Sequence, residues 1–102
     1  MKRYVLILLA AVFGFLTTAL AGTPTAEQGK ILFNDTALGG SANPASCNTC
    51  HPDGRKLEQA GGKKNLKTMI NGCIKQALHG EPLAADSPEM ESLVLYIKSL
   101  AE

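Results

Sequence analysis

The chain has 102 residues, of which 45% are hydrophobic, and this length allows one small domain only. The formal net charge is +1, and without the two basic residues Lys2 and Arg3 the remainder is slightly acidic. This balance argues against a nucleic-acid-binding protein, because neutralising phosphates requires a strongly basic surface.

The N-terminal segment has the three parts of an export signal. A basic start precedes an apolar run from Tyr4 to Leu16, and Ala19-Leu20-Ala21 provides an A-x-A cleavage site. We therefore expect a signal peptide over residues 1–21 and a periplasmic protein that begins at Gly22. The alternative is a retained membrane anchor, because the apolar character continues almost to the cleavage site and roughly 17 residues is the lower limit for a span.

The three cysteines of the chain need a common explanation. A domain over residues 22–102 is short, and short domains usually need disulfides, a metal or another staple. In an oxidising compartment, a disulfide framework would leave one of the three thiols over. A prosthetic group that is bound covalently by two thiols and contacted by the third accounts for all three cysteines better than a disulfide framework does.

The first predicted element is a helix over about Ala26 to Asn34. It begins after Thr25, which forms a capping box with Gln28. Gly29 costs stability inside this helix, and either a close crossing of another helix or simple tolerance explains it. The segment 35–45 is rich in turn residues and shows neither helical nor strand periodicity.

Two further helices follow the central part of the chain. One spans about Asn65 to Leu78, and its apolar stripe is expected to be buried. The last begins at Ser87-Pro88-Glu89, which supplies an N-cap, a first-turn proline and an acid that suits the helix dipole. No segment alternates with a period of two residues, so we predict an all-α fold. The stripe is Leu66, Ile70, Cys73, Ile74 and Ala77, and the apolar face of the last helix is Met90, Leu93, Val94, Ile97 and Leu100.

The segment Cys47-Asn48-Thr49-Cys50-His51 is a C-x-x-C-H motif, the signature of covalent haem c attachment. Two thiols three positions apart can add to the two vinyl groups of one porphyrin, and the next imidazole then reaches the iron. The motif predicts one haem c held by Cys47 and Cys50, with His51 as an iron ligand. The apolar disc would replace core that a short domain lacks.

Three other uses of a C-x-x-C pair compete with haem attachment. A thioredoxin-like centre needs a βαβ context that the sequence lacks. A zinc site could take Cys47, Cys50, Cys73 and His79 as ligands, but His51 would then have no role. The third use is a structural disulfide across the pair. Haem attachment is favoured because His51 is adjacent and an export signal lies upstream.

Nearly all of the chain after the export signal resembles a class I cytochrome c domain. The resemblance is carried by Glu27 to Phe33 ahead of the motif, Cys50 to Gly54 at it and Leu93 to Leu100 at the end. It implies a small cytochrome c-like helical domain wrapped around one haem, with the first and last helices crossing at near right angles. It also implies that Gly29 and Phe33 meet Tyr96 at that crossing.

The sixth ligand of the iron is the open question of the sequence. Class I cytochromes usually supply a Met from a Met-Pro loop midway between the motif and the last helix, and this sequence lacks one. Met69 lies inside a predicted helix, and Met90 opens the last helix, where a core role is expected. Cys73 and His79 remain, and for His79 a helix-end position stabilised by the dipole is favoured over iron ligation.

A second resemblance bears on Cys73. Ile70 to Cys73, Gly80 to Leu83 and Asp86 to Met90 are similar to the cytochrome c domains of thiosulfate dehydrogenases and of dihaem sulfur-oxidation cytochromes. In those domains the cysteine ligates iron as a thiolate, and the resemblance implies this role for Cys73. The link from His51 to Cys73 is shorter here, and there is no second haem motif. A buried core cysteine is the alternative.

One haem motif in one small domain predicts an electron carrier rather than an enzyme. We expect redox partner proteins, no nucleic acid and a monomer, with membrane contact only if the N-terminal segment is retained. The second resemblance implies an alternative, a haem enzyme or subunit that oxidises thiosulfate or a related sulfur compound. A five-coordinate haem that binds small ligands is a third possibility if Cys73 is only core.

A basic stretch follows the motif. It is interpreted as a solvated loop, with a docking patch for an acidic redox partner as the functional alternative. Its members are Arg55, Lys56, Lys63, Lys64 and Lys67.

Overall fold

A computed structural model describes residues 23–102, and the predicted signal peptide and the predicted start at Gly22 lie outside the described residues. The described part contains α-helices and 3-10 turns but no strand, which confirms the predicted all-α class. None of the helices in this part is long and apolar enough to cross a membrane. The helices are α1 (Ala26–Phe33), α2 (Cys47–Cys50), α3 (Leu66–Gln76) and α4 (Pro88–Ser99), and the 3-10 turns are Leu38–Gly40, Pro52–Gly54 and Ala60–Gly62.

The cap of α1 also ties that helix to α4. The Thr25 hydroxyl accepts a hydrogen bond from the Gln28 N–H at 2.9 Å, as the predicted cap requires. In a full capping box the Thr25 N–H would donate to the Gln28 side chain. Here it donates instead to Ser92 Oγ of α4 at 3.2 Å. The start of α1 is therefore fixed by its own cap and by a long-range contact.

The crossing of α1 and α4 is built around Gly29. A Cβ atom at this position would lie 1.9 Å from the carbonyl oxygen of Ser92 and 2.7 Å from Cβ of Tyr96. One turn along α1, the Phe33 ring packs on Tyr96 with ring centroids 5.1 Å apart and an interplanar angle of 59°. These are the contacts that the resemblance to class I cytochromes c implies. A close crossing, rather than tolerance, accounts for the glycine.

The predicted stripe of α3 divides into two sides. Leu66, Ile70 and Ile74 are buried in the core, as predicted. The prediction is wrong for Cys73 and Ala77, which are exposed because they face an open cleft rather than α4. The helix also begins one residue later and ends two residues earlier than predicted.

α4 supplies most of the remaining core. The Ser87 hydroxyl caps it by accepting a hydrogen bond from the Met90 N–H at 3.1 Å. Met90 is fully buried, which confirms the core role expected for it. Leu93, Val94 and Ile97 are buried too, whereas Leu100 at the end of the helix is only half-buried.

Candidate cofactor site

The two motif cysteines are the first and last residues of α2, a single helical turn. Residues three apart in a helix lie on the same face, so this turn presents both thiols in one direction. The Ser46 N–H, just before α2, donates to Thr49 Oγ1 at 2.9 Å and closes the turn. Cys47 and Cys50 both line the same cleft.

His51 follows α2 directly, and its ring is held by a backbone carbonyl. The His51 N–H donates to the Cys47 carbonyl at 3.0 Å, and Nδ1 lies 3.0 Å from the Arg55 carbonyl oxygen. A carbonyl can only accept, so this bond requires the proton on Nδ1. The lone pair of Nε2 is then free for a metal, the usual arrangement of a ligating histidine.

The turn after His51 makes that bond possible. Asp53 and Gly54 have left-handed backbones, with φ of 54° and 78°, and they reverse the chain within Pro52–Gly54. The Asn48 side chain supports the turn by accepting a hydrogen bond from the Asp53 N–H at 2.8 Å. The reversal brings the Arg55 carbonyl back to the imidazole.

The thiols and the imidazole line an open cleft with a volume of about 220 Å³. The remaining walls are almost entirely apolar and come from α1, the loop before α3, α3 itself and α4. They include Phe33, Leu57, Ala60, Leu66, Ile70, Leu78, Leu93 and Ile97.

Two sulfur side chains lie on the α3 wall of the cleft. Met69 and Cys73 are one helical turn apart, and both line the cleft with exposed side chains. A buried core position for Cys73, the alternative considered from the sequence, is therefore wrong. His79 and Met90 do not line the cleft. His79 is exposed with a left-handed backbone, φ 57°, beyond the end of α3.

The thiols of Cys47 and Cys73 are close enough to influence one another. Burial, and after it the negative charge of a Cys73 thiolate, raises the pKa of the Cys47 thiol from 9.0 to about 11. The Cys47 side chain is therefore a neutral thiol near pH 7 when no group is attached to it.

The described residues do not form the zinc site considered from the sequence. Among residues 23–102, no three side chains of His, Cys, Asp or Glu are grouped so that they could hold a metal ion. His79 in particular lies apart from the cleft that Cys47, Cys50 and Cys73 share. All three of these cysteines are free thiols, so the disulfide across the motif is not present either.

Comparison with protein families, with curated proteins and with solved structures found no match for this chain. The two resemblances noted in the sequence therefore stay predictions.

Some residues of the cleft carry no signal in the sequence. Leu57 and Ala60 line it from a loop rich in glycine and charge, where apolar residues show no period. Phe33 lies at the end of α1 and is shared between the α4 crossing and the cleft. Leu57 and Ala60 reach the cleft because the loop folds against α4, and Phe33 reaches it because α1 crosses α4. Both are tertiary arrangements that the sequence does not specify locally.

Proposed function

We propose that the protein is a periplasmic monohaem c-type cytochrome that carries single electrons between redox partners. The main support is the cleft, in which Cys47, Cys50 and His51 face apolar walls. The residues present fit a covalent haem in three respects: two thiols on one helical turn, an imidazole with Nε2 free, and an open apolar space beside them.

The three motif residues would hold the haem together. Cys47 and Cys50 would bind it through thioether bonds, and His51 would ligate the iron through Nε2. The Arg55 carbonyl fixes the orientation of the imidazole and increases its basicity as a ligand. When bound, haem c would supply an iron that alternates between the ferric and ferrous states.

Cys73 is the proposed sixth ligand, and Met69 is the alternative from the same wall. Both line the cleft on α3, and both are soft sulfur donors. The resemblance to sulfur-oxidising cytochromes favours the cysteine. A thiolate would stabilise the ferric state and lower the potential, whereas a thioether would raise it.

The apolar walls serve the same function. Apolar side chains of α3 and α4 would pack on a bound haem and keep water from it, which lowers the local dielectric constant. If His51 and a sulfur side chain of α3 both ligated the iron, little would move when an electron arrives or leaves. The alternative function, oxidation of a sulfur compound, would use the same cleft. Only an experiment can distinguish it from electron transfer.

Export of the protein in cells with a working haem-attachment system tests the proposal. We expect a red protein that keeps one haem after denaturation, shows a low-spin EPR signal and is reduced and reoxidised reversibly. The double variant Cys47→Ala, Cys50→Ala should lose the covalent haem, while Cys73→Ser should keep it. A colourless protein with free thiols would reject the proposal, and sustained turnover of thiosulfate would favour the enzyme instead.

A further inference from the structure

The basic stretch noted in the sequence is not one surface in the structure. Lys67 is engaged, because its Nζ atom donates to Glu91 Oε2 and to the Ala85 carbonyl, both at 2.8 Å. Lys63 and Lys64 make no ion pair among the described residues. They share a shallow depression with Lys67 and with Lys98, which comes from the last turn of α4 and was not part of the predicted patch.

A close backbone contact brings these lysines together. Gly61 packs against α4 so tightly that a Cβ atom there would lie 2.8 Å from Cα and 3.0 Å from Cγ of Lys98. The loop that carries Lys63 and Lys64 is thereby held on the end of α4. Residues far apart in sequence thus form one basic surface, which we call the lysine surface (Lys63, Lys64 and Lys98).

The lysine surface lines a shallow depression of about 340 Å³. Lys67 lines it as well, with its charge paired to Glu91, and no acidic side chain belongs to the lining. The three lysines of the lysine surface are exposed, and no charged group there is buried. Exposed charges of one sign act on a charged partner over about one Debye length, roughly 8 Å at physiological ionic strength. Such a surface raises the rate of encounter with a surface of opposite charge.

The lysine surface adjoins the cofactor cleft. Ala60 and Leu66 lie on either side of the lysine-bearing loop in sequence, and both line the cleft. The same short segment therefore forms a wall of the cleft and carries two of the three lysines. Leu66 lines both the cleft and the lysine-bearing depression, so a protein bound to this surface would lie next to the cleft.

We propose that the lysine surface is the docking site for the acidic face of a redox partner protein. This inference rests on the proposed function, because electron transfer is what gives docking beside the cleft its purpose. A protein partner fits better than a small anion, since the lysines are solvated on an open surface and no buried polar group points into the depression.

Poly-L-glutamate serves as the acidic probe in the test. The ¹⁵N-labelled exported protein is titrated with it at an ionic strength of about 0.01 M, where the Debye length is about 30 Å. We expect amide shifts concentrated at residues 61–65 and 97–99, and we expect them to disappear near 1 M salt. Binding of this probe does not require haem, so its result is separate from the colour that tests the proposed function.

Charge-matched variants decide whether the surface is specific. Lys63→Gln with Lys64→Gln should weaken binding roughly fivefold, as expected for two exposed ion pairs worth up to about 1 kcal/mol in total. Lys98→Gln should weaken it further. The control, Lys30→Gln with Lys75→Gln, removes the same charge from α1 and from the far end of α3 and should change little.

Three outcomes would overturn the inference. Equal weakening by the control pair would show that only net charge matters. Shifts centred on Arg55 and Lys56 would place the docking site elsewhere. Saturable shifts of the same amides with inorganic phosphate, at concentrations too low to act by screening, would identify a small-anion site instead.

Discussion

The Asn71 side chain pairs with the backbone of Leu83 through two hydrogen bonds. Asn71 Nδ2 donates to the Leu83 carbonyl and Oδ1 accepts from the Leu83 N–H, each at 2.8 Å. Leu83 is half-buried and packs against the core. The pair therefore fastens the connection between α3 and α4 to the helix that carries Cys73.

Replacing Asn71 by Ala should lower the free energy of unfolding by about 2 kcal/mol. The reason is the loss of two hydrogen bonds, each worth about 1 kcal/mol, from partly buried backbone groups. Urea unfolding of the exported protein measures it. Asn71→Asp keeps the acceptor for the Leu83 N–H and loses the donor to the Leu83 carbonyl. Its stability should therefore lie between those of the parent and of the Ala variant. An Ala variant as stable as the parent would contradict the role given to the pair.

Gly29→Ala should destabilise the protein by about 3 kcal/mol. The added methyl group would overlap the Ser92 carbonyl, and a backbone atom of α4 cannot move aside without shifting the helix. The matched control is Gly72→Ala, also inside a helix, where no atom beyond its chain neighbours and its own helix backbone lies within 4 Å of the added carbon. That change should stabilise the protein by up to about 1 kcal/mol. Urea unfolding compares the two, and equal effects would contradict a close crossing at Gly29.

The helices could be predicted from the sequence because each has local signals. Thr25 and Ser87 cap α1 and α4 where the residue types indicated, and the buried residues of α4 follow the expected period. The short helix α2 could not be predicted, since a single turn depends on individual hydrogen bonds rather than on periodicity. The two exposed positions of α3 were misjudged because an apolar stripe does not say whether it faces core or cleft.

The candidate site was predictable where the chemistry is local. The spacing of Cys47, Cys50 and His51 is enough to expect them together, and the structure places all three on one cleft. The α3 wall depends on how this helix turns toward the cleft. That rotation is a tertiary property, so the sequence alone could not place Met69 on the cleft beside Cys73.

Cys73→Ser should change the ferric absorption and EPR spectra and raise the reduction potential. The potential should rise by on the order of 0.1 V, since axial ligands alone set haem potentials across roughly 0.8 V. Loss of a thiolate removes negative charge that stabilises ferric iron. Spectroscopy and a potentiometric titration of the exported protein measure the change.

Two variants serve as controls for the Cys73 experiment. His79→Ala should leave both spectra and potential unchanged, because His79 lies outside the cleft. Met69→Leu should do the same if the cysteine ligates the iron. If Met69→Leu alters the ferrous spectrum and Cys73→Ser does not, the methionine on the same wall is the ligand.

The raised pKa of Cys47 predicts how its thiol reacts when no haem is attached. Alkylation by iodoacetamide requires the thiolate, so the folded haem-free chain should react at Cys47 with a midpoint near pH 11. In denaturing urea the midpoint should return to about 9. Peptide mapping by mass spectrometry after alkylation at a series of pH values resolves Cys47 from the other two thiols.

The same pKa shift fixes the sign of a pH effect on stability. The folded chain holds its Cys47 proton more tightly than the unfolded chain does, so the contribution to stability is fully present below about pH 9 and is lost as the pH rises toward 11. Cys47→Ser should remove this alkaline loss. A thioether does not titrate, so the haem-bound protein should lack the loss as well. If the folded, haem-free chain is alkylated at Cys47 with a midpoint near pH 9, the burial assigned to this thiol is wrong.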